Sequence, residues 1–220
     1  MAGDETLSGF CPTACYCEEN AYSLIRALQK QRPGVTTAYA VFVSSEIGWF
    51  EMKQQKAGKG DDGATMWDYH VFGINVAPAG QAAMVYDFDS QLPFPCAFDS
   101  YVAKSFPPSQ LPRLFRVVEA REFLRDFASD RRHMRSTTES GEIKWSAAPP
   151  TYPPIQSAIP LDPNLCASYE GDNTFTKHWG PAHLAPVTNE HRLPLYIRMA
   201  EKGGPGVVVD LNGLQRLFAN

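Results

Sequence analysis

Two neighbouring strand-like segments constrain the fold of this chain more than any other feature of its sequence. Residues 67–76 and 83–89 have the composition of strands, and residues 77–80 between them are turn formers. The pattern predicts an antiparallel hairpin. If its turn contains two residues, Asp87 lies directly opposite His70 on one face of the sheet. A bulge in the turn would shift this register by one residue.

A helix with a cysteine at its start is predicted near the beginning of the chain. Residues 18–31 carry apolar side chains at the spacing of one helical face, and Cys17 lies where the helix begins. The free N–H groups and partial positive charge of a helix N-terminus stabilise a thiolate and can hold an oxyanion. Cys17 is therefore the candidate nucleophile. The alternative is a cysteine that simply packs under the helix start.

The hairpin supplies candidates for the two groups that a thiol nucleophile needs. His70 lies on the strand face that it shares with Phe72 and Ile74, so a partly desolvated imidazole base is expected there. Asp87 would accept the imidazole N–H and stabilise the imidazolium form, and Asp89 is the reserve candidate. The alternatives are a core histidine and a strand-end carboxylate. The other histidines lie mostly in predicted loops.

The remaining pattern predicts a mixed α+β fold. Strands are expected at residues 39–43, 48–53, 115–119 and 207–209, and helices at residues 98–106, 120–128 and 211–218. Proline, glycine and polar residues dominate residues 136–186, which predicts a loop-rich stretch.

Composition and charge limit the function classes. The 220 residues fit one catalytic domain over residues 1–220, and 44% hydrophobic with 20% charged residues is typical of a compact fold. A net charge of −4 without a basic stripe argues against nucleic acid as a partner. No apolar run reaches the roughly 18 to 20 residues that span a bilayer, and residues 1–9 do not resemble a signal peptide. We therefore expect a cytoplasmic protein without a membrane partner.

The five cysteines do not form the pattern of a secreted disulfide framework, because three of them crowd into Cys11, Cys15 and Cys17. Thiolates and an imidazole could also hold zinc in an interaction module. The paired C-x-x-C spacing of such modules is absent, so no metal is expected.

Several sequence strings closely resemble the eukaryotic protein N-terminal glutamine amidohydrolase family. They are Cys15-Tyr16-Cys17-Glu18-Glu19-Asn20, Tyr39-Ala40-Val41-Phe42, Trp67-Asp68-Tyr69-His70-Val71, Tyr86-Asp87-Phe88-Asp89, Leu92-Pro93-Phe94-Pro95-Cys96, Phe127-Ala128-Ser129-Asp130-Arg131 and His133-Met134. The resemblance extends over residues 11–134, returns weakly at 207–218 and is poor across 136–206.

The resemblance implies a papain-like or transglutaminase-like α+β fold, with an antiparallel sheet and the nucleophile at a helix N-terminus. It implies a triad of Cys17, His70 and Asp87 that converts an N-terminal glutamine of a protein to glutamate and ammonia through a thioester. No metal or organic cofactor is needed. In the family, the product is extended by an arginyltransferase and degraded. We expect a monomer in the cytoplasm, with the nucleus as a second location.

The resemblance also implies that the free α-amine is recognised together with the carboxamide. Glu18 and Asp68 are the candidate acids for the amine, and Trp67 and Tyr69 are candidate walls for the glutamine side chain. Each has a structural alternative, since the helix dipole favours Glu18 and Asp68 could be a strand-end residue. A peptide-cleaving papain-like thiol protease remains the competing function, because it uses the same nucleophilic chemistry.

Overall fold

The architecture is an antiparallel sheet covered by helices on both faces, seen in a computed structural model that describes residues 11–31, 37–77, 81–108, 111–162, 180–199 and 204–218. Its helices are α1 (Cys17–Gln31), α2 (Phe98–Ser105), α3 (Ala120–Asp126), α4 (Pro181–Leu184), α5 (Leu193–Ile197) and α6 (Leu211–Phe218). The strands are β1 (Thr37–Ser44), β2 (Phe50–Met52), β3 (Thr65–Trp67), β4 (Tyr69–Val76), β5 (Met84–Tyr86), β6 (Cys96–Ala97), β7 (Leu114–Glu119), β8 (Arg135–Thr137), β9 (Ile143–Trp145) and β10 (Val207–Val209).

Six of these strands form the main sheet, in the order β10-β7-β1-β4-β5-β6. Every pairing within it is antiparallel. The pairs β2-β3 and β8-β9 form two smaller antiparallel sheets. The predicted α+β class with an antiparallel sheet is therefore confirmed.

Side chains alternate between two hydrophobic cores along β4. Tyr69 and Val71 face the core under α1, whereas Phe72 and Ile74 belong to the core that contains α2 and α6. Gly73 allows α1 to lie close to this strand, because a Cβ at that position would be only 2.9 Å from Cδ2 of Leu24. Both faces of the sheet are thus buried, and consecutive residues of β4 reach opposite layers.

The two segments that were predicted as long strands are shorter than expected. Trp67 ends β3, which pairs with β2, and β4 begins only at Tyr69. Between them, Asp68 Oδ1 accepts the Tyr69 N–H at 2.9 Å. The second segment ends at Tyr86, because Asp87 turns the chain by accepting the N–H of Asp89 with its own side chain at 2.9 Å. Local side-chain hydrogen bonds of aspartate compete with the strand ladder in this way.

The predicted hairpin register is wrong by two residues. Gly73 pairs with Tyr86 and Ile74 pairs with Val85, so Asp87 does not lie directly opposite His70. The turn predicted between Ala77 and Gly80 cannot be compared, because residues 78–80 lie outside the described residues. Because strand side chains repeat every two residues, a shift of two keeps Asp87 on the expected face.

Elements with a strong local pattern follow the predictions within two residues at each end. This holds for α1, α2, α3, α6, β1, β2, β7 and β10. Within the predicted loop-rich stretch, β8, β9 and α4 are additional elements, while residues 163–179 lie outside the described part. No helix among the described residues is long and apolar enough to cross a bilayer.

A buried arginine connects the sheet to the segment that precedes β10. Arg116, on β7, is only 2% exposed. Its guanidinium donates to the backbone carbonyls of Tyr196 (3.1 Å), Arg198 (2.9 Å) and Pro205 (2.8 Å). One side chain therefore satisfies carbonyls from α5 through to the approach to β10.

Replacing this arginine should destabilise the fold. We expect Arg116→Met to lower the free energy of unfolding by about 2 to 4 kcal/mol, because three carbonyls lose a charged donor in buried surroundings. Urea unfolding measures the change. Arg121→Met is the matched control, since Arg121 is exposed on α3, and it should change stability by about 0.5 kcal/mol or less. Equal effects of the two substitutions would contradict the structural role of Arg116.

Candidate active site

The segment before α1 is held so that Cys17 becomes the first residue of the helix. Cys15 adopts a positive φ of 66°, which reverses the chain. The Asn20 side chain accepts the Thr13 N–H (2.9 Å) and donates to the Thr13 carbonyl (2.8 Å). As a result the Cys15 residue is exposed, whereas Cys17 is buried at 7% exposure. The two neighbouring thiols therefore have different surroundings.

Cys17 lines a cavity of about 230 Å³. Three of the four residues proposed to bind substrate line it as well, namely Trp67, Asp68 and Tyr69. The fourth, Glu18, does not line the cavity and is fully buried. The remaining walls include Asp89, His133, Met134, Ser146, Pro181 and Ala182.

His70 and Asp87 form a buried hydrogen-bonded pair. Nε2 of His70 lies 3.0 Å from Oδ1 of Asp87, and neither side chain has more than 1% exposure. The Tyr101 hydroxyl donates to Oδ2 of Asp87 at 2.8 Å, which holds the carboxylate in place. Trp67 stacks on the imidazole with a ring distance of 5.0 Å, so His70 lies behind a residue of the cavity wall. The side chains meet as predicted, although the register between their strands differs.

The pair favours the charged form of each partner. Burial opposes the protonation of His70, but the charge and hydrogen bond of Asp87 outweigh it and raise the pKa of the imidazole. Burial also opposes ionisation of Asp87, and His70 together with Tyr101 overcomes it, so that the pKa of Asp87 is lowered. Nδ1 of His70 is buried and makes no hydrogen bond among the described residues. This nitrogen remains open to a further partner.

The surroundings of Cys17 favour a thiol. Burial and the charges of Glu18, Asp89 and Asp68 raise the pKa of the Cys17 thiol well above its usual value, while the Val71 N–H acts in the opposite direction. A helix N-terminus by itself would lower the pKa of a thiol. Burial and nearby carboxylates therefore oppose the effect of the helix N-terminus on this thiol.

Glu18 takes part in a buried network that the sequence did not reveal. Its Oε2 accepts the Tyr69 hydroxyl at 3.0 Å and lies 3.8 Å from the Cys17 sulfur, and its Oε1 lies 3.5 Å from Nε2 of His133. Burial opposes ionisation, but contacts with His133 and Tyr69 more than compensate and lower the pKa of Glu18. His133 lies in a short 3₁₀ turn, a context that gave it no predicted role although it belongs to one of the matching strings.

Comparison with known proteins identifies the family of this chain. The family model for N-terminal glutamine amidase matches residues 12–218. The chain belongs to the N-terminal glutamine amidase family. A protein N-terminal glutamine amidohydrolase of Drosophila mojavensis is 37% identical over 211 residues, covering 93% of this chain and 86% of the relative. One from Drosophila erecta is 43% identical over 150 residues, covering 66% and 71%.

The family match continues through the part of the chain where the sequence strings showed little resemblance. Residues 136–206 lie within it, and they supply Ser146, Pro181 and Ala182 to the cavity of this amidase-family chain. The loop-rich stretch is therefore part of the family's shared region, and it forms one wall of the candidate site.

One group among the described residues of this amidase-family chain has metal-ligand chemistry. His70, Asp87 and Asp89 each offer a ligand atom within 4.8 Å of the others. Asp87 is already hydrogen-bonded to His70 and Tyr101, so we interpret the group as a hydrogen-bonded cluster. Cys11, Cys15 and Cys17 form no such group in the part of the chain that the structure describes. The cysteines at 11, 15, 17 and 96 are all free thiols.

The His70–Asp87 pair predicts how the imidazole titrates. NMR of labelled histidine should place the midpoint of His70 above the usual value of about 6.5. Asp87→Asn should move it below that value, because burial remains while the opposing carboxylate is lost. Asp99→Asn, an exposed carboxylate on α2, is the control and should leave the midpoint unchanged. If the titration midpoint of His70 is the same in the Asp87→Asn variant as in the wild type, a group other than Asp87 raises the pKa of His70.

Proposed function

We propose that this chain hydrolyses the side-chain amide of an N-terminal glutamine in proteins and peptides, giving N-terminal glutamate and ammonia. Relatives that are 37% to 43% identical carry the name protein N-terminal glutamine amidohydrolase. The observation that carries the proposal is the buried His70–Asp87 pair behind the cavity that Cys17 lines. The pair supplies a base and its orienting carboxylate, and the cavity supplies a thiol.

The first half of the proposed reaction is acyl transfer to Cys17. His70 accepts the thiol proton as the sulfur attacks the amide carbon of the glutamine side chain. Free N–H groups at the start of α1 stabilise the oxyanion of the tetrahedral intermediate. The C–N bond then breaks, the imidazolium gives its proton to the departing nitrogen, and ammonia leaves behind a thioester.

The second half is hydrolysis of the thioester. A water molecule loses a proton to His70 and attacks the acyl carbon, the C–S bond breaks, and the proton returns to the Cys17 sulfur. Asp87 stabilises the imidazolium form that appears in each half-reaction, which agrees with the raised pKa of His70. No metal or organic cofactor takes part in these steps.

We further assign the fold to the papain-like or transglutaminase-like class, as a single catalytic domain over residues 1–220. In support, α1 begins at Cys17 and packs on β1 and β4, while β4 carries His70 and Asp87 follows the neighbouring β5. We assign the protein to the cytoplasm and nucleus as a monomer, where its product enters degradation that depends on the N-terminal residue.

Recognition of a free α-amine distinguishes this proposal from a general glutamine amidase. The cavity carries two carboxylates, Asp68 and Asp89, while Glu18 lies buried beside them. An ammonium group is the natural complement of such a cavity. Trp67 and Tyr69 form apolar walls on which the methylene groups of a glutamine side chain can pack.

A panel of peptides tests the function against a papain-like thiol protease. Peptides that begin with Gln, Asn or acetyl-Gln are incubated with the protein, ammonia is measured, and mass spectrometry follows the chains. We expect ammonia and a mass increase of about one dalton from the free Gln terminus alone, with no cleavage of the chain. Shortened peptides would indicate a protease, and equal rates for acetyl-Gln would indicate a general amidase.

The two neighbouring thiols should differ sharply in their effect on the reaction. Cys17→Ser should abolish ammonia release while leaving the fold intact, because a hydroxyl is a much weaker nucleophile than a thiol in this setting. Cys15→Ser should retain substantial activity, since Cys15 is exposed before the helix. Circular dichroism checks the fold of both. The reverse order of effects would remove Cys17 from its assigned role.

The two aspartates of the segment that follows β5 should also differ. Asp87→Asn should lower kcat by roughly a thousandfold or more, because the imidazole loses its orienting acceptor and the charge that supports imidazolium. Asp89→Asn should cost less, about ten- to a hundredfold in kcat/KM. Steady-state kinetics on a Gln-initiated peptide gives both values. If Asp89→Asn proves the more damaging, Asp89 is the third catalytic residue.

A further inference from the structure

His133 is an imidazole of the cavity wall that the proposed reaction does not use. It lies in the 3₁₀ turn Arg132–Met134 and lines the cavity with Cys17, although only 2% of its side chain is exposed. The base His70, by contrast, is fully buried behind Trp67. A second imidazole therefore borders the space that a substrate of Cys17 has to enter.

The contacts of Nε2 determine which nitrogen of His133 carries the proton in the neutral ring. Nε2 lies 3.5 Å from Oε1 of Glu18 and 3.4 Å from the Tyr69 hydroxyl oxygen. The hydroxyl donates its own proton to Oε2 of Glu18 at 3.0 Å, which leaves its oxygen as an acceptor. Burial opposes ionisation of Glu18, but contacts with His133 and Tyr69 lower its pKa, so its carboxylate is an acceptor as well. Two acceptors thus face Nε2, and the proton of the neutral ring belongs there.

The other ring nitrogen of His133 is then a hydrogen-bond acceptor. With the proton on Nε2, Nδ1 carries a lone pair. Nδ1 is buried and makes no hydrogen bond among the described residues. Buried polar atoms nearly always have a partner. Because His133 lines the cavity, the partner that suits Nδ1 is a donor group on a molecule that enters it.

Neighbouring side chains fix the position of this acceptor. The ring of His191 lies 5.4 Å from that of His133 at an angle of 31°, and the Tyr69 ring lies 6.4 Å away in an edge contact. Glu18 connects the imidazole to the nucleophile, since its Oε1 faces His133 while its Oε2 lies 3.8 Å from the Cys17 sulfur. Nδ1 is therefore held on a rigid ring close to the attacking atom.

We propose that Nδ1 of His133 accepts a hydrogen bond from the NH2 group of the substrate's side-chain carboxamide, and thereby selects glutamine over glutamate. The inference rests on the proposed function, which supplies the carboxamide. A carboxamide nitrogen offers two N–H donors, whereas a carboxylate offers none and would meet a lone pair. His133 is a specificity-determining residue in this assignment, while His70 remains the base.

The same contact favours release of the product. Hydrolysis replaces the donor NH2 group by a carboxylate oxygen, so the hydrogen bond to Nδ1 of His133 is lost. The new negative charge also lies near the carboxylates of Asp68 and Asp89 in the cavity wall. Unpaired acceptors and like charges work against a ligand. A terminal glutamate should therefore leave the cavity and compete weakly with glutamine substrates.

A pair of substrates measures the proposed hydrogen bond in the full chain. One peptide begins with glutamine, and the other begins with the γ-methyl ester of glutamic acid, whose side chain has a carbonyl group but no N–H donor. Mass spectrometry follows both reactions, because each yields the same glutamate peptide. The ratio of kcat/KM for the amide to kcat/KM for the ester cancels a general loss of structure or of nucleophile reactivity.

Two substitutions separate the roles of the two ring nitrogens. The side-chain oxygen in His133→Asn can take the position of Nδ1, whereas the longer side-chain amide in His133→Gln reaches toward Glu18 and leaves no acceptor at Nδ1. We expect the amide-to-ester ratio to fall about ten- to a hundredfold in His133→Gln, because a buried N–H donor of the substrate is left unsatisfied. In His133→Asn the ratio should stay close to that of the wild type. Arg135→Gln, at an exposed position of β8, is the control and should leave the ratio unchanged.

A purely structural role of His133 predicts a different pattern. If the residue served only to pair with Glu18, His133→Asn would be the more damaging substitution, and both substrates would lose activity together. An amide-to-ester ratio that is unchanged in His133→Gln, or that falls only in His133→Asn, would overturn the inference.

NMR of labelled histidine gives a test that does not alter His133. The Cys17→Ser variant binds the peptides without turnover, and the nitrogen resonance of Nδ1 of His133 should shift when the glutamine peptide binds. The γ-methyl ester peptide should leave this resonance at its position in the free protein. Identical shifts with the two peptides would contradict the proposed hydrogen bond.

This inference and the proposed function can fail separately. A wild-type chain that releases ammonia from Gln-initiated peptides, but whose amide-to-ester ratio is insensitive to His133→Gln, contradicts the inference and leaves the proposed function intact. A wild-type chain that hydrolyses the ester but releases no ammonia from any Gln-initiated peptide contradicts the proposed function.

Discussion

The alternation of side chains at the start of β4 determines how the candidate site is assembled. Tyr69 and Val71 face the core under α1, and His70 between them faces the opposite core. The thiol therefore approaches from the α1 side, while the imidazole and its carboxylate are embedded on the α2 side. Both sets of side chains belong to β4. A shift of this strand by one residue would therefore turn Tyr69 and Val71 to the α2 side and His70 to the α1 side, and the site could not form.

Burial sets the electrostatics of this arrangement. A fully buried carboxylate normally resists ionisation, yet Glu18 and Asp87 are each held in the charged form by an imidazole and a tyrosine hydroxyl. The same burial disfavours the thiolate form of Cys17. The carboxylates of Glu18, Asp68 and Asp89 disfavour it further, because all three raise the pKa of the thiol.

Features set by a local sequence pattern could be predicted, whereas contacts between distant segments of the chain could not. The apolar spacing of α1 and the composition of β1, β7 and β10 are local, and these elements were predicted within two residues. Asp87 reached His70 despite the wrong register, because an even shift preserves the face. The contacts of Tyr101 with Asp87 and of His133 with Glu18 connect distant segments, for which a single sequence carries no local pattern.

The wall that Pro181 and Ala182 provide lies far along the chain from Cys17, which starts the first helix. Gly180 precedes them, and a Cβ at that position would collide with the Asp68 carboxylate, so this wall is closely fitted. Contacts of such long sequence separation form late, because loop closure must precede them. During synthesis, the segment that carries Cys17 leaves the ribosome well before the wall that encloses it. A nascent chain thus has its thiol, imidazole and carboxylate long before it has a closed cavity, and activity should appear only when translation is nearly complete.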